Sequence, residues 1–421
     1  MHKIRVEAHH LEIGMYVCEL DRPWLGTAFM FQGFRVETDA QLNKLRESCD
    51  FVYVDKSLSG EDTPDRPSIV RMDGVSTESP EARRRRFPKR RLELTDRPVA
   101  LRYPIKASIE EELPKASSIR KKAVERILDI FHSVRSGKMP DTRGTLESAQ
   151  DMVQSIIRNP DAMVWMSQLK DRNEYTAIHC VNACTLSVAF GRHLGLPEGE
   201  LFHLGLGALL HDLGKLRVPN DILNKPGKLT RDEFKVMQSH PEQGKNLLMS
   251  SGTIPDASLE VAYTHHERMD GRGYPRGLKS HQLNLFTKIV AIVDVYDALT
   301  SDRVYHDGMS CEDALGKIYE WGARDLDAEL VEQFIQAIGL FPVGCQLELT
   351  DGQVGMVMEP NRLIPRRPKV LVLLDSKKRR LAVQRILDLA KEACWGREAL
   401  NVSRILPAGE YALSLDSLRS V

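Results

Sequence analysis

The stretch ELFHLGLGALLHDLG, Glu200 to Gly214, decides how this chain is read. Its apolar residues recur near the 3.6-residue helical period, and Gly207 to Leu210 run as buried-type residues straight into His211 and Asp212. A neighbouring His and Asp are common by chance, so the meaning of the pair depends on what surrounds it.

Working outward, the same period recurs in AVERILDIFHSV, ESAQDMVQSIIR, TRDEFKVMQSH and FTKIVAIVDVYDALTSD, with Gly and Pro marking breaks in LGKLRVP, NKPGKLT and DGRGYPRG. This predicts an all-helical domain over residues 117–344. Ahead of it, residues 1–58 read as a small α/β unit. IRVEA, MYVCEL and FVYVD are its strands and ETDAQLNKLRES its helix. Residues 59–116 replace apolar periodicity with Pro, Ser and charge, the composition of a largely disordered linker. Its basic run, Arg83–Arg86 with Lys89, Arg90 and Arg91, reads as solvated linker. After the helices, residues 345–421 form a β-containing extension: QLELTDGQVGMVM predicts a hairpin and KVLVLLD a further strand. The expected fold class is therefore mainly α, with a small α/β domain in front.

The 421 residues carry 59 Lys+Arg against 59 Asp+Glu, a balance that argues against a general polyanion binder; no nucleic-acid polymer is expected as partner. No segment approaches the roughly 18 apolar residues of a membrane span. The opening MHKIRVEAHHLEIGMYV lacks the apolar core of a signal peptide. Seven cysteines without a CxxC pair point away from a disulfide framework and towards the cytoplasm.

Seven metal-competent side chains fall in the helical region: His179, His211, Asp212, His240, His265, His266 and Asp294. Any one histidine alone reads as an ordinary core or surface residue. Asp294 is more telling. Set between IVAIV and VYDAL it is buried, and a buried carboxylate requires a cation or ion-pair partner. His265 and His266 are adjacent, and on a helix successive side chains point about 100° apart, so the pair can address two positions of one cavity. A nitrogen and carboxylate set without thiolate suits Fe, Mn, Co, Ni or Zn and argues against a structural zinc site. A carboxylate such as Asp212 would hold two ions roughly 3.5–4 Å apart, and such a centre would activate water and clamp an in-line phosphoryl displacement. Lys215, four residues after His211, shares its face if the helix continues, and its ammonium would neutralise a phosphate oxygen. The plainer alternative is a lysine opposing the helix dipole.

LLHDLGK, ILNKPGKLT, SHPEQG, HHERMDGRGYPRG and VDVYDALTSDRVY, in this order, resemble the HD-GYP proteins, a bacterial branch of the HD phosphohydrolases. The resemblance covers about Ser148 to Gly344. It implies a helical domain with a metal centre, often iron or manganese, that hydrolyses cyclic di-GMP to pGpG and then GMP. By position it implies the seven residues above as ligands. It further implies Asp212 and Lys215 as catalytic, with Lys215 on the scissile phosphate. Lys225, Gly273, Tyr274, Pro275 and Arg303 would then meet substrate. Some members of the family also engage diguanylate cyclases (GGDEF proteins) through the GYP loop, and a homodimer is compatible with the resemblance.

Two departures stand out. Trimetal members carry a glutamate one turn before the first histidine, where this chain has Tyr175, with Glu174 one residue earlier; two divalent ions are therefore expected. The usual RPYR reads RVYH, with Val304 and His306, which keeps open a low-turnover cyclic di-GMP sensor or interaction module. Hydrolysis of another nucleotide is the remaining alternative. Residues 11–55 resemble an uncharacterised domain fused ahead of such modules.

Overall fold

The computed structural model describes residues 3–20, 34–36, 39–55, 103–167, 175–301, 309–322, 324–361, 364–392, 400–406 and 410–411. The chain divides into two compact units, residues 1–91 and 92–421.

In the first unit, β1 (Lys3–Glu7), β2 (Tyr16–Leu20), β3 (Phe34–Arg35) and β4 (Phe51–Asp55) form an antiparallel sheet of order β1-β4-β2-β3. Helix α1 (Asp39–Ser48) precedes β4. Period-2 alternation puts Val52 and Val54 on one face, opposite Val6 and Ile4 of β1. Leu42 and Leu45, three apart on α1, pack into the same core with Leu11, Val17 and Val36.

The second unit begins with α2 (Ile109–Arg135), followed by α3 (Arg143–Arg158), α4 (Pro160–Ser167), α5 (Tyr175–His193) and α6 (Glu198–Leu210). The linker expected over 59–116 thus ends sooner, because 109–116 are the first two turns of α2. Its start was hidden by Pro114 and the serines after it, but a capping box nucleates it. Glu111 N–H donates to Ser108 Oγ at 3.2 Å, and Ser108 N–H donates to Glu111 Oε2 at 2.9 Å. Arg158 then locks α3 to α2 by donating from Nη2 at 2.6 Å and Nε at 2.9 Å to the buried Glu112.

Helices α5 and α6 are apolar on nearly all sides, and such helices are buried on all sides. They pack on one another. Helix α5 also packs on α11 (Leu285–Thr300), and α6 on α10 (Asp256–Thr264). Between α6 and α10 run a 3₁₀ turn (Leu213–Arg217), α7 (Asn220–Leu223), α8 (Arg231–Met237) and α9 (His240–Ser251). Helices α12 (Cys311–Gly322) and α13 (Ala328–Ile338) complete the helical part.

The tail is an antiparallel sheet of order β8-β7-β6-β5-β9. It consists of β5 (Gln346–Leu349), β6 (Val354–Glu359), β7 (Lys369–Leu374), β8 (Arg380–Asp388) and β9 (Val402–Ile405). Strands β5 and β6 are the expected hairpin, pairing Glu348 with Val354 around a turn in which Gly352 has φ +82°. Cys49, Cys180, Cys184, Cys311 and Cys345 form no disulfide, and among the described residues no helix is long and apolar enough to cross a membrane.

Candidate metal centre

Helix α6 ends at its cap, His211, and the chain tightens at once into the 3₁₀ turn. The α-helix does not continue to Lys215, so the expected four-residue spacing with His211 is not what places that lysine. In a 3₁₀ turn, residues three apart eclipse, and Lys215 Nζ donates to Asp212 Oδ2 at 2.6 Å instead. The tight turn needs Gly214. A Cβ there would overlap the His240 carbonyl oxygen and the Gly244 amide nitrogen, so glycine lets α9 bring His240 against Asp212.

Three histidines are aimed by their own helices. Nδ1–H donates to the carbonyl three residues earlier: His211 to Ala208 at 2.7 Å, His240 to Met237 at 2.8 Å and His265 to Ala262 at 2.9 Å. A carbonyl only accepts, so Nδ1 holds the proton and each Nε2 presents a lone pair inwards. His179, in the second turn of α5, uses a carboxylate for the same purpose. Its Nδ1 lies 2.6 Å from Asp297 Oδ2, and Asn182 Nδ2 holds the other oxygen of Asp297 at 3.1 Å.

Asp212 sits at the centre, 1 % exposed. Its Oδ2 faces His179 Nε2 at 3.5 Å and His211 Nε2 at 3.4 Å, while Oδ1 faces His240 Nε2 at 3.5 Å and His265 Nε2 at 3.8 Å. Asp294 Oδ1 closes the first group, 3.1 Å from His179 Nε2. His266 joins the second group, with Nδ1 3.8 Å from Asp294 Oδ2. All seven expected side chains therefore meet, in two sets: His179, His211 and Asp294, and Asp212, His240, His265 and His266. The adjacent pair does not divide between the sets; both histidines stand in the second.

The donors fit a cation. His240 Nε2 and His265 Nε2 point at each other across 3.3 Å, and with both Nδ1 atoms protonated this sets lone pair against lone pair. His211 Nε2 and Asp212 Oδ1 are buried without a hydrogen-bond partner. Buried polar atoms left so are costly unless an ion takes them up.

Burial drives the imidazoles towards neutrality, the form that binds metal. His265 and His266 are pushed well below the usual value by desolvation and neighbouring imidazoles, His211 is lowered by burial, and His240 falls to about 4. Burial also opposes the His179 cation, but Asp294 and Asp297 outweigh it and raise His179. Desolvation works against an ionised Asp212, yet His211 and Lys215 hold it well below the usual carboxylate range. Lys215, raised by Asp212 against the burial effect, stays an ammonium.

These shifts have a signed consequence for the chelated protein. The four lowered histidines make the unfolded chain bind more protons once pH drops below 6.5, so stability falls from there towards about 4. The raised His179 acts oppositely, contributing below 6.5 and losing that contribution as pH rises through its folded value. Four groups outweigh one. The melting temperature of chelated protein is expected to be lower at pH 5 than at pH 7, and an equal or higher value would contradict this.

The loop after His266 is bound back onto the site. Glu267, fully buried, accepts from Arg276 N at 2.7 Å and Leu278 N at 2.8 Å, and Tyr274 N donates to His266 O at 3.2 Å. A Cβ on Gly273 would overlap the Glu267 and Arg268 backbone, so only glycine permits this fold-back. Tyr274, joined to Pro275 by a cis peptide, lays its ring 4.8 Å from that of His266. Burial, then the charges of Asp294 and Asp212, raise its phenol, which remains a donor. Lys225 is committed elsewhere: its ammonium donates to both Glu233 oxygens at 2.7 and 2.6 Å. Arg303, Val304, His306 and Glu174 lie outside the described residues.

Residues 161–330 match the family described as "HD domain", residues 3–145 the "Domain of unknown function (DUF3391)", and residues 347–394 the "KOW domain associated with HD domain". A relative from Pseudomonas aeruginosa, cyclic di-GMP phosphodiesterase PA4108, is 32% identical over 389 residues, spanning 92% of this chain and 89% of that one. The chain belongs to the HD-GYP family. The cyclic di-GMP phosphodiesterase response regulator RpfG of Xanthomonas campestris is 41% identical over 144 residues, covering 34% of this chain and 38% of its own. The 3'3'-cGAMP-specific phosphodiesterase 3 of Vibrio cholerae is 33% identical, covering 41% and 37%.

Two site residues of this HD-GYP domain escaped the sequence reading. Asp297 had a signal, a second carboxylate one turn after Asp294 in an apolar helix; Glu267 had none. Asp297→Asn keeps the shape but removes the charge that orients His179. Metal affinity, measured by competition with a chelator, is expected to fall by roughly 10–100-fold, and an unchanged affinity would count against the role.

Proposed function

We propose that this chain hydrolyses cyclic di-GMP to pGpG and then GMP at a centre of two divalent transition-metal ions. The observation that carries this reading is Asp212, whose two oxygens face separate histidine pairs. Bound there, a pair of ions supplies an activated water and neutralises the phosphate oxygens of an in-line displacement. The chain's own residues do the rest. His179, His211 and Asp294 hold one side, and His240, His265 and His266 the other, with Asp212 between them. Lys215, beside Asp212, offsets charge on the scissile phosphate or its leaving oxygen. Tyr274, a neutral phenol folded over His266, supplies a ring and a hydrogen-bond donor at the rim.

The donor set suits iron, manganese, cobalt, nickel or zinc, and the HD-GYP family points to iron or manganese among them. The same reading places the protein in the cytoplasm, with diguanylate cyclases as partners for the GYP loop and a homodimer as its assembly. Manganese- or iron-loaded protein incubated with cyclic di-GMP should yield pGpG and GMP on chromatography. No product with either metal would refute the proposal, and preferential cleavage of cyclic GMP-AMP would redirect it.

A further inference from the structure

Phe234, on α8, is 46% exposed. A single exposed phenylalanine is ordinary. This one, however, stands at the end of a file of rings that starts at the metal centre. The His266 ring lies 4.8 Å from Tyr274, and the Tyr274 ring lies 6.2 Å from Phe234 at an interplanar angle of 81°. Rings at that angle make adjoining walls of a corner, so the pair does not stack on itself.

The outer wall is firmly held. Thr230 and Glu233 form a capping box at the start of α8, and Lys225 ties Glu233 to the turn before it. These contacts fix the helix one residue from Phe234 while leaving the ring half in water. An aromatic face that is rigid, solvated and next to a phosphodiester site suits a flat heteroaromatic ring, since stacking on it trades water for a π surface without reorganisation.

We propose that Phe234 is the outer wall of a purine-stacking subsite, taking one guanine of the cyclic dinucleotide while a phosphate meets the metal centre. This rests on the function proposed above. It also gives the NKPGKLT turn a role: Lys225 positions the helix that carries the stacking ring, through Glu233.

The test compares wild type with Phe234→Ala and Phe234→Tyr, all metal-loaded and matched for metal content. Calorimetry measures binding of GMP and of ribose 5-phosphate, which has the same phosphate and sugar but no base. Phe234→Ala should weaken GMP binding and raise KM for cyclic di-GMP by roughly 5- to 100-fold, the loss falling on KM rather than kcat. Ribose 5-phosphate binding should not change, and Phe234→Tyr should restore GMP binding. Unchanged GMP binding in Phe234→Ala overturns the subsite, as does an equal loss for both ligands, which marks a structural effect passed through Tyr274. Wild type that discriminates GMP through Phe234 yet leaves cyclic di-GMP intact sinks the proposed activity and leaves the subsite standing.

Discussion

Asp212→Ala is expected to lose both metal and activity. Its carboxylate lies between the two sets with two imidazoles against each oxygen, so alanine removes a donor from each side at once. It also strips the counter-charge from a buried region holding five imidazoles and leaves Lys215 without its partner. A loss on the order of 10³-fold or more in kcat is expected, about 4 kcal/mol of barrier. Metal analysis of anaerobically purified protein should find the ions reduced or absent. Wild-type metal content together with retained turnover would contradict the central place given to Asp212.

Glu267→Ala should separate the loop from the metal. Glu267 coordinates nothing in the site; it accepts from the backbone of Arg276 and Leu278 and so holds the turn that carries Tyr274. Alanine leaves two donors unpaired, each costing ~1–3 kcal/mol if it stays buried. The melting temperature should fall by about 2–4 °C for each kcal/mol lost in a domain of this size. KM for cyclic di-GMP should rise by roughly 10–100-fold, a displacement of ångström scale at a positioning group being enough for that. Metal content should stay at the wild-type level, and Glu267→Gln, which keeps one acceptor oxygen, should fall between. If KM and melting temperature both match wild type, the loop is held by other contacts.

Much of this was legible in the residues. Helical periodicity gave away α3, α6, α8 and α11. The strong apolar flanks of Asp294 marked a carboxylate that needed a cation, and period-2 alternation marked β4 and the β5–β6 hairpin. Histidines adjoining such runs identified the ligand candidates, because a side chain at the end of a buried helix has few other places to be. The start of α2 was missed for a local reason: Pro114 obscured a capping box whose parts, Ser108 and Glu111, were in plain view.

What the sequence by itself determined was therefore the inventory: which helices form, which faces are apolar, and which metal-competent groups lie at their ends. Those follow from short-range sterics and periodicity, which a single chain segment carries within itself. Only the tertiary structure decided the partition. His265 and His266 share one set, Asp212 turns an oxygen to each, Lys215 answers to Asp212, and Asp297 and Glu267 orient what the sequence merely supplied. Those relations span up to 118 residues of chain, as from His179 to Asp297, and depend on how closely helices approach. That approach is set by packing at places such as Gly214 against α9, where the absence of one carbon brings two halves of a site together.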